Sequence, residues 1–347
     1  MQKPGNRTFH LFVGVALLLT VGVGCKKDPP PEPDTFALPS GRGAFIINEG
    51  NFMWSNATLD YLDLERDTLY EQVYQTVHTD GLGDVFQSMT LQGDTAWLVI
   101  NNSGKVLAVD AVTLDKYAEM EGLTSPRYAL PYGGKVFITD IYAGEVHVAD
   151  ISTQTLTASL PMGGWTEELI QVNGEIWVAV KGADYLAVID PIAVSVVDSI
   201  AVNAGPTFVE ADQQGRIWVM CSGDGNTPPA LQAIDPDTKT VVKDFDFSPA
   251  IAPSNLSINS AGDLLYYTYD GGVYRMSITD NTLPAQPLFA LSTQALYGME
   301  VDPYDGDIWI MDALSFAQPG KLIRYNSQGD SITSYTVGLI PNGMEFR

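Results

Sequence analysis

The side chains that most often do catalytic chemistry are few and scattered in this sequence. The histidines are His10, His78 and His147, and the cysteines are Cys25 and Cys221. Separated histidines do not make a zinc site, which needs three or four convergent ligands. No HExxH, GxSxG or glycine-rich phosphate loop is present. We therefore expect no catalytic residues, no metal, no cofactor and no enzymatic activity.

One loop remains a candidate for a cation. Residues 222–226 read SGDGN, and their Asp and Gly could surround Ca²⁺. The loop lacks the regular acidic spacing of known calcium loops, and its composition is typical of a solvated turn, which we prefer. Cys221 ends the apolar run IWVMC, so we interpret it as a small buried hydrophobe, with a catalytic thiol as the alternative. His147 lies in EVHVAD and is interpreted as a satisfied strand residue.

Binding chemistry is better represented than catalytic chemistry. Aromatic, amide and charged side chains recur in the long, varied loops, and such loops on a rigid scaffold are where binding sites usually occur. Aromatic rings can stack on a flat ligand, while amides can hydrogen-bond to its edge. The candidate ligand-binding residues are Asn51, Trp54, Asn102, Arg127, Tyr128, Tyr142, Trp165, Glu167, Tyr185, Tyr297, Phe316 and Asn342. We expect half of the aromatic residues to plug a channel or cap a core instead.

The segments between these loops form a repeat. Residues 174–200 read as turn, apolar strand, loop, apolar strand ending in Asp, turn and apolar strand, and related stretches begin at residues 43, 93, 133, 215, 262 and 306. One large residue marks the register of each copy: Phe45, Trp97, Phe137, Trp177, Trp218, Leu265 and Trp309. A period of roughly 40–50 residues is that of four-stranded propeller blades. Alternation within short β-branched runs argues against a helical repeat of similar length.

A short strand precedes every copy except the first. The missing strand appears at the other end of the chain, where NGMEF (residues 342–346) closely matches GMEVD (residues 298–302). Pairing it with the first copy closes the ring and removes an open sheet edge. The sequence therefore predicts an all-β fold, a seven-bladed β-propeller over residues 41–347, closed by its C-terminal strand in the N-terminal blade.

The alternation of strand direction in a propeller decides which loops share a face. Loops entering the innermost strands emerge on the same mouth as loops between the second and third strands, while tight turns emerge on the other. The candidate residues fall on the first set, so we expect the ligand on that mouth.

The first residues have the features of an export signal. Lys3 and Arg7 precede an apolar segment, residues 11–24, that is too short to span a bilayer comfortably. Small residues before Cys25 resemble the lipobox of bacterial lipoproteins, with an ordinary cleaved signal as the alternative. We predict a signal over residues 1–24, an acylated Cys25 and a Pro-rich tether over residues 25–40. A Lys and acidic residues after Cys25 resemble signals for the outer leaflet of the outer membrane.

The balance of charge excludes one class of partner. The formal net charge is −24, whereas nucleic acid binding needs Lys and Arg to neutralise phosphates. We expect no nucleic-acid partner, and contact with the membrane only through the lipid anchor.

Several motifs resemble those of one family. INEGN (residues 47–51) with SNATLDYLD (residues 55–63), PGKLIRYNSQG (residues 319–329) and IPNGMEF (residues 340–346) resemble the surface-exposed vitamin B12-binding propeller lipoproteins. Their wider relatives are the YVTN-type propellers. The resemblance implies a ring that caps a TonB-dependent outer-membrane transporter, captures cobalamin outside the cell and passes it inward. Cobalamin would then be the transported ligand and not a cofactor.

Three functions remain open at this point. The leading one is a non-enzymatic ligand-capture lipoprotein that binds cobalamin or another corrinoid. The second is a glycan- or protein-binding surface propeller. The third is a lactonase-like or lyase-like enzyme, which would need a metal or a cluster of His and acidic residues at the mouth.

Overall fold

Short apolar runs separated by turns give the chain seven antiparallel sheets of four strands each. The computed structural model describes residues 1, 2, 5 and 36–347, and the sheets lie in the unit Phe36–Arg347. The predicted signal, Cys25 and the first part of the predicted tether lie outside the described residues. Within residues 36–347, the prediction of an all-β seven-bladed propeller is confirmed.

The strands of a blade follow one another along the chain, from the channel outward. Blade 1 contains β1 (Gly43–Asn48), β2 (Thr58–Asp63) and β3 (Thr68–Tyr70), followed by α1 (Val73–Val77). Blade 2 contains β4 (Phe86–Gln92), β5 (Thr95–Ile100), β6 (Lys105–Asp110) and β7 (Lys116–Glu121). Blade 3 contains β8 (Pro126–Tyr132), β9 (Lys135–Asp140), β10 (Glu145–Asp150) and β11 (Thr155–Pro161). Blade 4 contains β12 (Trp165–Val172), β13 (Glu175–Lys181), β14 (Tyr185–Asp190) and β15 (Ser195–Ala201).

The remaining blades repeat this order. Blade 5 contains β16 (Pro206–Ala211), β17 (Ile217–Cys221), β18 (Ala230–Asp235) and β19 (Thr240–Asp246). Blade 6 contains β20 (Ser254–Ile258), β21 (Leu264–Tyr269), β22 (Gly272–Ser277) and β23 (Phe289–Ala290). Blade 7 contains β24 (Leu296–Val301), β25 (Ile308–Asp312), β26 (Pro319–Tyr325) and β27 (Ser331–Leu339), and the last strand is β28 (Pro341–Phe346).

The last strand closes the ring as predicted. β28 pairs antiparallel with β1, so that blade 1 has the order β28-β1-β2-β3. Beyond the strands, the N–H of Arg347 donates to the carbonyl of Gly43 at 2.8 Å. Met344 is buried in the packing between blades 7 and 1. The first and last blades are therefore joined by both a backbone ladder and apolar contact.

The register residues of the repeat form the core between blades. All seven are at most 2% exposed. Trp177 of blade 4 packs with Ile217 and Val219 of blade 5, and Trp309 of blade 7 packs with residues of blade 1. A buried aromatic ring removes roughly 150–250 Å² from water, worth several kcal/mol at about 25 cal/mol/Å². One large residue per blade therefore seals each interface to its neighbour.

The Asp that ends the third strand of most blades has a structural task. In blade 4, Oδ1 of Asp190 accepts the N–H groups of Ile192 at 2.8 Å and Ala193 at 2.9 Å. Asp235 of blade 5 accepts the N–H groups two and three residues on in the same way. An Asp side chain that satisfies its own turn is a frequent device. The repeated Asp therefore fixes the turn into the outermost strand.

Two features of the described chain were not predicted. Helix α1 lies beside blade 1, and its Val73 and Tyr74 are buried in the packing with blade 2. Leu38, in the last part of the predicted tether, is buried, and its N–H donates to the carbonyl of Val112 at 2.8 Å. No helix among the described residues has both the length and the apolar character needed to cross a membrane.

Candidate ligand-binding mouth

The two ends of the ring carry different connections. We call the end with the loops into the innermost strands and between the second and third strands the loop mouth. The end with the remaining turns is the turn mouth. Loops of different blades are tied together at the loop mouth: the N–H of Glu49 donates to the carbonyl of Ile340 at 2.9 Å, and the N–H of Phe86 donates to that of Glu49 at 3.2 Å. The loop mouth is therefore a connected surface.

A cavity of about 420 Å³ occupies the channel below the loop mouth. Its size falls in the range of small-ligand pockets, roughly 300–1,000 Å³. Four of the predicted binding residues line it: Arg127, Tyr128, Tyr297 and Asn342. These four side chains come from the innermost strands of three blades: β8 of blade 3, β24 of blade 7 and β28 of blade 1. Several sheets therefore contribute to the wall of the cavity.

Charged groups near the opening of this cavity are paired. Nε of Arg127 lies 3.0 Å from Oε2 of Glu167, whose side chain is 4% exposed, and Arg127 also donates to the side-chain carbonyl of Gln87. Glu49 accepts hydrogen bonds from the hydroxyl of Tyr297 and the Nδ2 of Asn342, both at 3.1 Å. Burial raises the pKa of Glu49, and these two hydrogen bonds lower it by less than burial raises it.

Deeper in the channel lie four glutamates that sequence reasoning missed: Glu168, Glu210, Glu300 and Glu345. In the sheet register, Glu210 lies opposite Trp218, Glu300 opposite Trp309 and Glu345 opposite Phe45. These three glutamates therefore lie at one level of the channel. Burial raises the pKa of Glu168 to about 8 and that of Glu345 to about 7. Burial also raises the pKa of Glu300, with a further contribution from neighbouring glutamates.

Burial in the lower channel therefore favours the protonated form of these carboxyl groups. The signal for these glutamates was present, since four innermost strands, ELIQV, FVEAD, GMEVD and NGMEF, each contain a Glu.

Large apolar side chains are exposed on the loop mouth. The predicted residues Trp54, Tyr142, Trp165, Tyr297 and Phe316 are 75%, 71%, 51%, 38% and 41% exposed. Tyr297 and Phe316 meet edge to face, with ring centroids 5.5 Å apart. The sequence analysis missed two further members of this exposed set, Phe52 and Met53, which are exposed beside Trp54 in the β1–β2 loop.

The remaining predicted residues connect or pack and do not line the cavity. Nδ2 of Asn51 donates to the carbonyl of Phe316 at 2.6 Å, and Nδ2 of Asn102 donates to Asp84 at 2.5 Å, so both amides join loops. Tyr185 packs between blades 3 and 4 and donates its hydroxyl to the carbonyl of Met162.

Within residues 36–347, the histidine side chains make hydrogen bonds inside the fold, and the free cysteine is buried. Nδ1 of His147 lies 2.7 Å from Oγ of Ser159, and Nε2 of His78 lies 2.8 Å from the carbonyl of Leu114. Cys221 is buried, and burial raises the pKa of its thiol.

The SGDGN loop is a turn stabilised by its own Asp. Oδ1 of Asp224 accepts the N–H groups of Asn226 at 2.9 Å and Thr227 at 2.7 Å. In the described part of the chain, no three His, Cys, Asp or Glu side chains converge as metal ligands would.

Comparison with solved structures identifies many propellers of the same shape. A quinoprotein alcohol dehydrogenase-like protein from Bacteroides thetaiotaomicron is 14% identical, with a TM-score of 0.70, over 88% of this chain and 78% of that one. A periplasmic gluconolactonase from Pseudomonas aeruginosa is 13% identical, with a TM-score of 0.68, over 88% of this chain and 99% of that one. A streptogramin B lyase is 13% identical, with a TM-score of 0.58, over 73% and 82%. At such identities the likeness shows the fold alone.

These neighbours correct one expectation. The prediction that the protein is not an enzyme is wrong as a conclusion from the sequence, because propellers of this shape include a gluconolactonase and a lyase. The lack of familiar motifs and of clustered histidines therefore does not exclude catalysis on this fold.

Comparison with protein families gives a match over nearly the whole ring. No curated protein matches the chain. One family, described as a domain of unknown function (DUF5074), matches residues 42–340. Because this match spans all seven blades and stops just before the closing strand, the chain belongs to the DUF5074 family.

Proposed function

We propose that the loop mouth binds a corrinoid, with cobalamin as the leading ligand. The observation that carries this proposal is a polar cavity lined by Tyr297, with Phe316 packed against Tyr297 and Trp54 exposed on the β1–β2 loop of the same mouth. Contiguous exposed apolar side chains usually mark a binding surface. A corrin is broad and flat, with methyl groups on its faces and amides on its edge, so it matches aromatic walls around a polar centre.

The polar groups of the cavity suit an amide-edged ligand. Oδ1 of Asn342 is buried, and no donor among the described residues reaches it. A buried acceptor without a partner costs about 1–3 kcal/mol, which an incoming amide N–H would recover. Glu49 and Arg127 border the same cavity and offer an acceptor and donors to further amides.

The protonation of the lower channel supports the same ligand class. With the pKa of Glu168 raised to about 8, its carboxyl is mostly neutral at pH 7. A neutral group of the ligand that enters the channel can therefore accept a hydrogen bond from the protonated carboxyl of Glu168. A ligand that carried negative charge would instead approach a chain with a net charge of −24.

We propose further that the ring is lipid-anchored to the outer membrane through Cys25 and passes its ligand to a TonB-dependent transporter. The support is the short apolar segment that ends at Cys25, followed by a Pro-rich stretch. Cys25→Ala should release the protein from the membrane fraction and abolish palmitate labelling. Labelling that survives this substitution would contradict the anchor.

The corrinoid proposal is tested by titrating the protein with cyanocobalamin. We expect quenching of Trp fluorescence and measurable heat, with weak salt dependence because screening acts mainly on exposed charges. Tyr297→Ala or Trp54→Ala should each weaken binding by about 2 kcal/mol, as for aromatic hot spots. Ile192→Ala is the matched control, since Ile192 is an exposed apolar residue (83%) on a turn-mouth loop.

The opposite results are equally specific. No heat and no quenching with any corrinoid would exclude this ligand class. Binding that tolerates both aromatic substitutions would place the corrinoid away from the loop mouth. Hydrolysis of gluconolactone that is lost in Glu49→Gln would assign the cavity to a hydrolytic reaction.

A further inference from the structure

A second cavity opens on the loop mouth, away from the central channel. It lies between blades 4 and 5 and also has a volume of about 420 Å³. Trp165, Lys181, Asp184 and Asp224 contribute side chains to its walls. We call this cavity the rim groove. It shares no lining residue with the central cavity.

Glycines allow the loops beside the rim groove to approach each other closely. A Cβ at Gly205 would lie 2.3 Å from Oγ of Ser222, and a Cβ at Gly223 would lie 2.7 Å from the carbonyl oxygen of Thr227. Both glycines also have positive φ, 75° and 72°. The groove is therefore a built feature of two closely approaching loops, with backbone at its base.

Each carboxylate of the rim groove has one oxygen that already accepts a hydrogen bond within the fold. Oδ1 of Asp184 accepts the N–H of Gly205 at 3.1 Å, which joins the two blades. Oδ1 of Asp224 is likewise taken by its own turn. Among residues 36–347, neither Oδ2 receives a hydrogen bond, and the Lys181 ammonium has no ion-pair partner. The groove thus presents two fixed acceptors and one donor group.

The aromatic wall of the groove is Trp165. It is 51% exposed, and Tyr142 packs against it at 85°, with ring centroids 6.3 Å apart. The edge-to-face contact supports the indole while leaving part of its surface in contact with water. An exposed indole beside carboxylates offers both an apolar platform and directional acceptors.

We propose that the rim groove binds a neutral sugar ring of hexopyranose size. The C–H face of a pyranose can stack on Trp165, while its hydroxyl groups donate to Asp184 and Asp224 and accept from Lys181. Two carboxylates against one ammonium leave the groove with a net negative charge, which disfavours an anionic ligand, while the hydroxyl groups of a neutral sugar can partner all three charged groups. A purely apolar ligand would leave the three charged groups desolvated without partners.

The proposal is tested with methyl α-glucopyranoside, methyl β-galactopyranoside, methyl α-mannopyranoside and N-acetylglucosamine. Saturation-transfer NMR on the wild-type protein should detect at least one of them, and titration should give millimolar affinity. Trp165→Ala should weaken that affinity at least about tenfold, as expected for an aromatic anchor. Asp224→Asn keeps an acceptor for the turn but turns the free oxygen into a donor, so it should weaken binding without unfolding the loop.

Controls separate this site from the corrinoid proposal. Ile192→Ala and Tyr297→Ala should both leave sugar binding unchanged, since neither residue lines the groove. Absence of binding by all four glycosides would overturn the inference, as would sugar binding that survives Trp165→Ala. Competition between cyanocobalamin and the sugar, with Trp165→Ala weakening the corrinoid instead, would show that the groove is part of the central site.

Discussion

The turn mouth and the central channel of this ring differ in what surrounds their carboxylates. At the turn mouth, Nη2 of Arg42 lies 3.0 Å from Oδ2 of Asp302. Nε of Arg324 lies 2.6 Å from Oδ2 of Asp307. In the channel, burial and the neighbouring glutamates raise the pKa of Glu300, and Arg127 near the opening is already paired with Glu167. The turn mouth supplies counter-charges to its carboxylates, whereas burial in the channel favours the protonated form.

The turn Asp235 and the channel glutamates differ in the direction of their pKa shifts, although burial also raises the pKa of Asp302 and of Asp307 at the turn mouth. Hydrogen bonds from the backbone of Thr238 hold the pKa of Asp235 below its usual value. Burial in the channel raises the pKa of Glu168 and of Glu210. The contrast is between an Asp whose own turn supplies its hydrogen bonds and channel glutamates whose burial outweighs the hydrogen bonds they accept, such as that from the N–H of Val209 to Glu168.

Deleting residues 342–347 should have the largest effect, because this segment serves both regions. It removes Asn342 and Glu345 from the channel, Arg347 from the turn mouth and the whole pairing of β28 with β1. We expect insoluble or protease-sensitive protein, measured by limited proteolysis and thermal denaturation. Deleting Arg347 alone keeps the strand and is the control. An unchanged Tm for the longer deletion would refute ring closure as a source of stability.

Glu168→Gln should change how stability depends on pH. The pKa of Glu168 is raised from 4.5 to about 8, so the folded state holds this proton more tightly than the unfolded state. Its stabilising contribution is present at low pH and is lost as pH rises through about 8. At 1.36 kcal/mol per unit, the loss is roughly 4 kcal/mol between about pH 5 and pH 9.

The glutamine variant should therefore show a flatter decline of unfolding free energy over that range. Asp235→Asn at the turn mouth is the matched contrast. Its lowered pKa contributes stability that is lost only as pH falls into the acid range, so the slope at neutral pH should not change. Equal slopes for wild type and Glu168→Gln would show that the channel acid is not buried in the neutral form.

Arg127→Met should destabilise the fold by about 3 kcal/mol, because it leaves the buried Glu167 without its partner. Arg66→Met at the turn mouth should cost much less, because an exposed ion pair contributes little to stability. Arg66 is 54% exposed, and Asp63 keeps its hydrogen bonds from the N–H groups of Glu65 and Arg66. Urea denaturation measures both. Similar costs would remove the difference between the two regions.

Trp218→Phe should cost about 1 kcal/mol more than Trp177→Phe, as measured by urea denaturation. Both indoles are fully buried marker residues, so the lost ring area is matched. Nε1 of Trp218 donates to Oδ2 of Asp212 at 2.8 Å, whereas that of Trp177 has no acceptor among the described residues. Equal losses would mean that this turn-mouth hydrogen bond contributes nothing net.

The ring could be predicted from the sequence because its signals are local and repeated. A buried aromatic residue after a turn and an Asp at a strand end occur in blade after blade, and each has one structural reason. The closing strand was also predictable, since NGMEF repeats GMEVD. Helix α1 was missed because it is five residues long and occurs once.

The site was predicted less completely, since its members come together only across blades. Arg127 and Tyr297 line the cavity as expected, but Tyr185, on an equally aromatic loop, packs between two sheets. Loop position alone does not distinguish these outcomes, because side-chain direction depends on the register of the neighbouring blade. The channel glutamates were missed for a different reason. A Glu recurs in four innermost strands of the sequence, but the sequence analysis did not infer that these side chains meet in the central channel.

The path of residues 36–42 has a directional consequence. Arg347 donates to the carbonyl of Pro39 and Leu38 bonds to Val112, so the chain enters β1 beside the turn mouth. The proposed anchor at Cys25 would therefore hold the ring by the turn-mouth side. The loop mouth would then face away from that attachment and stay accessible to a diffusing ligand.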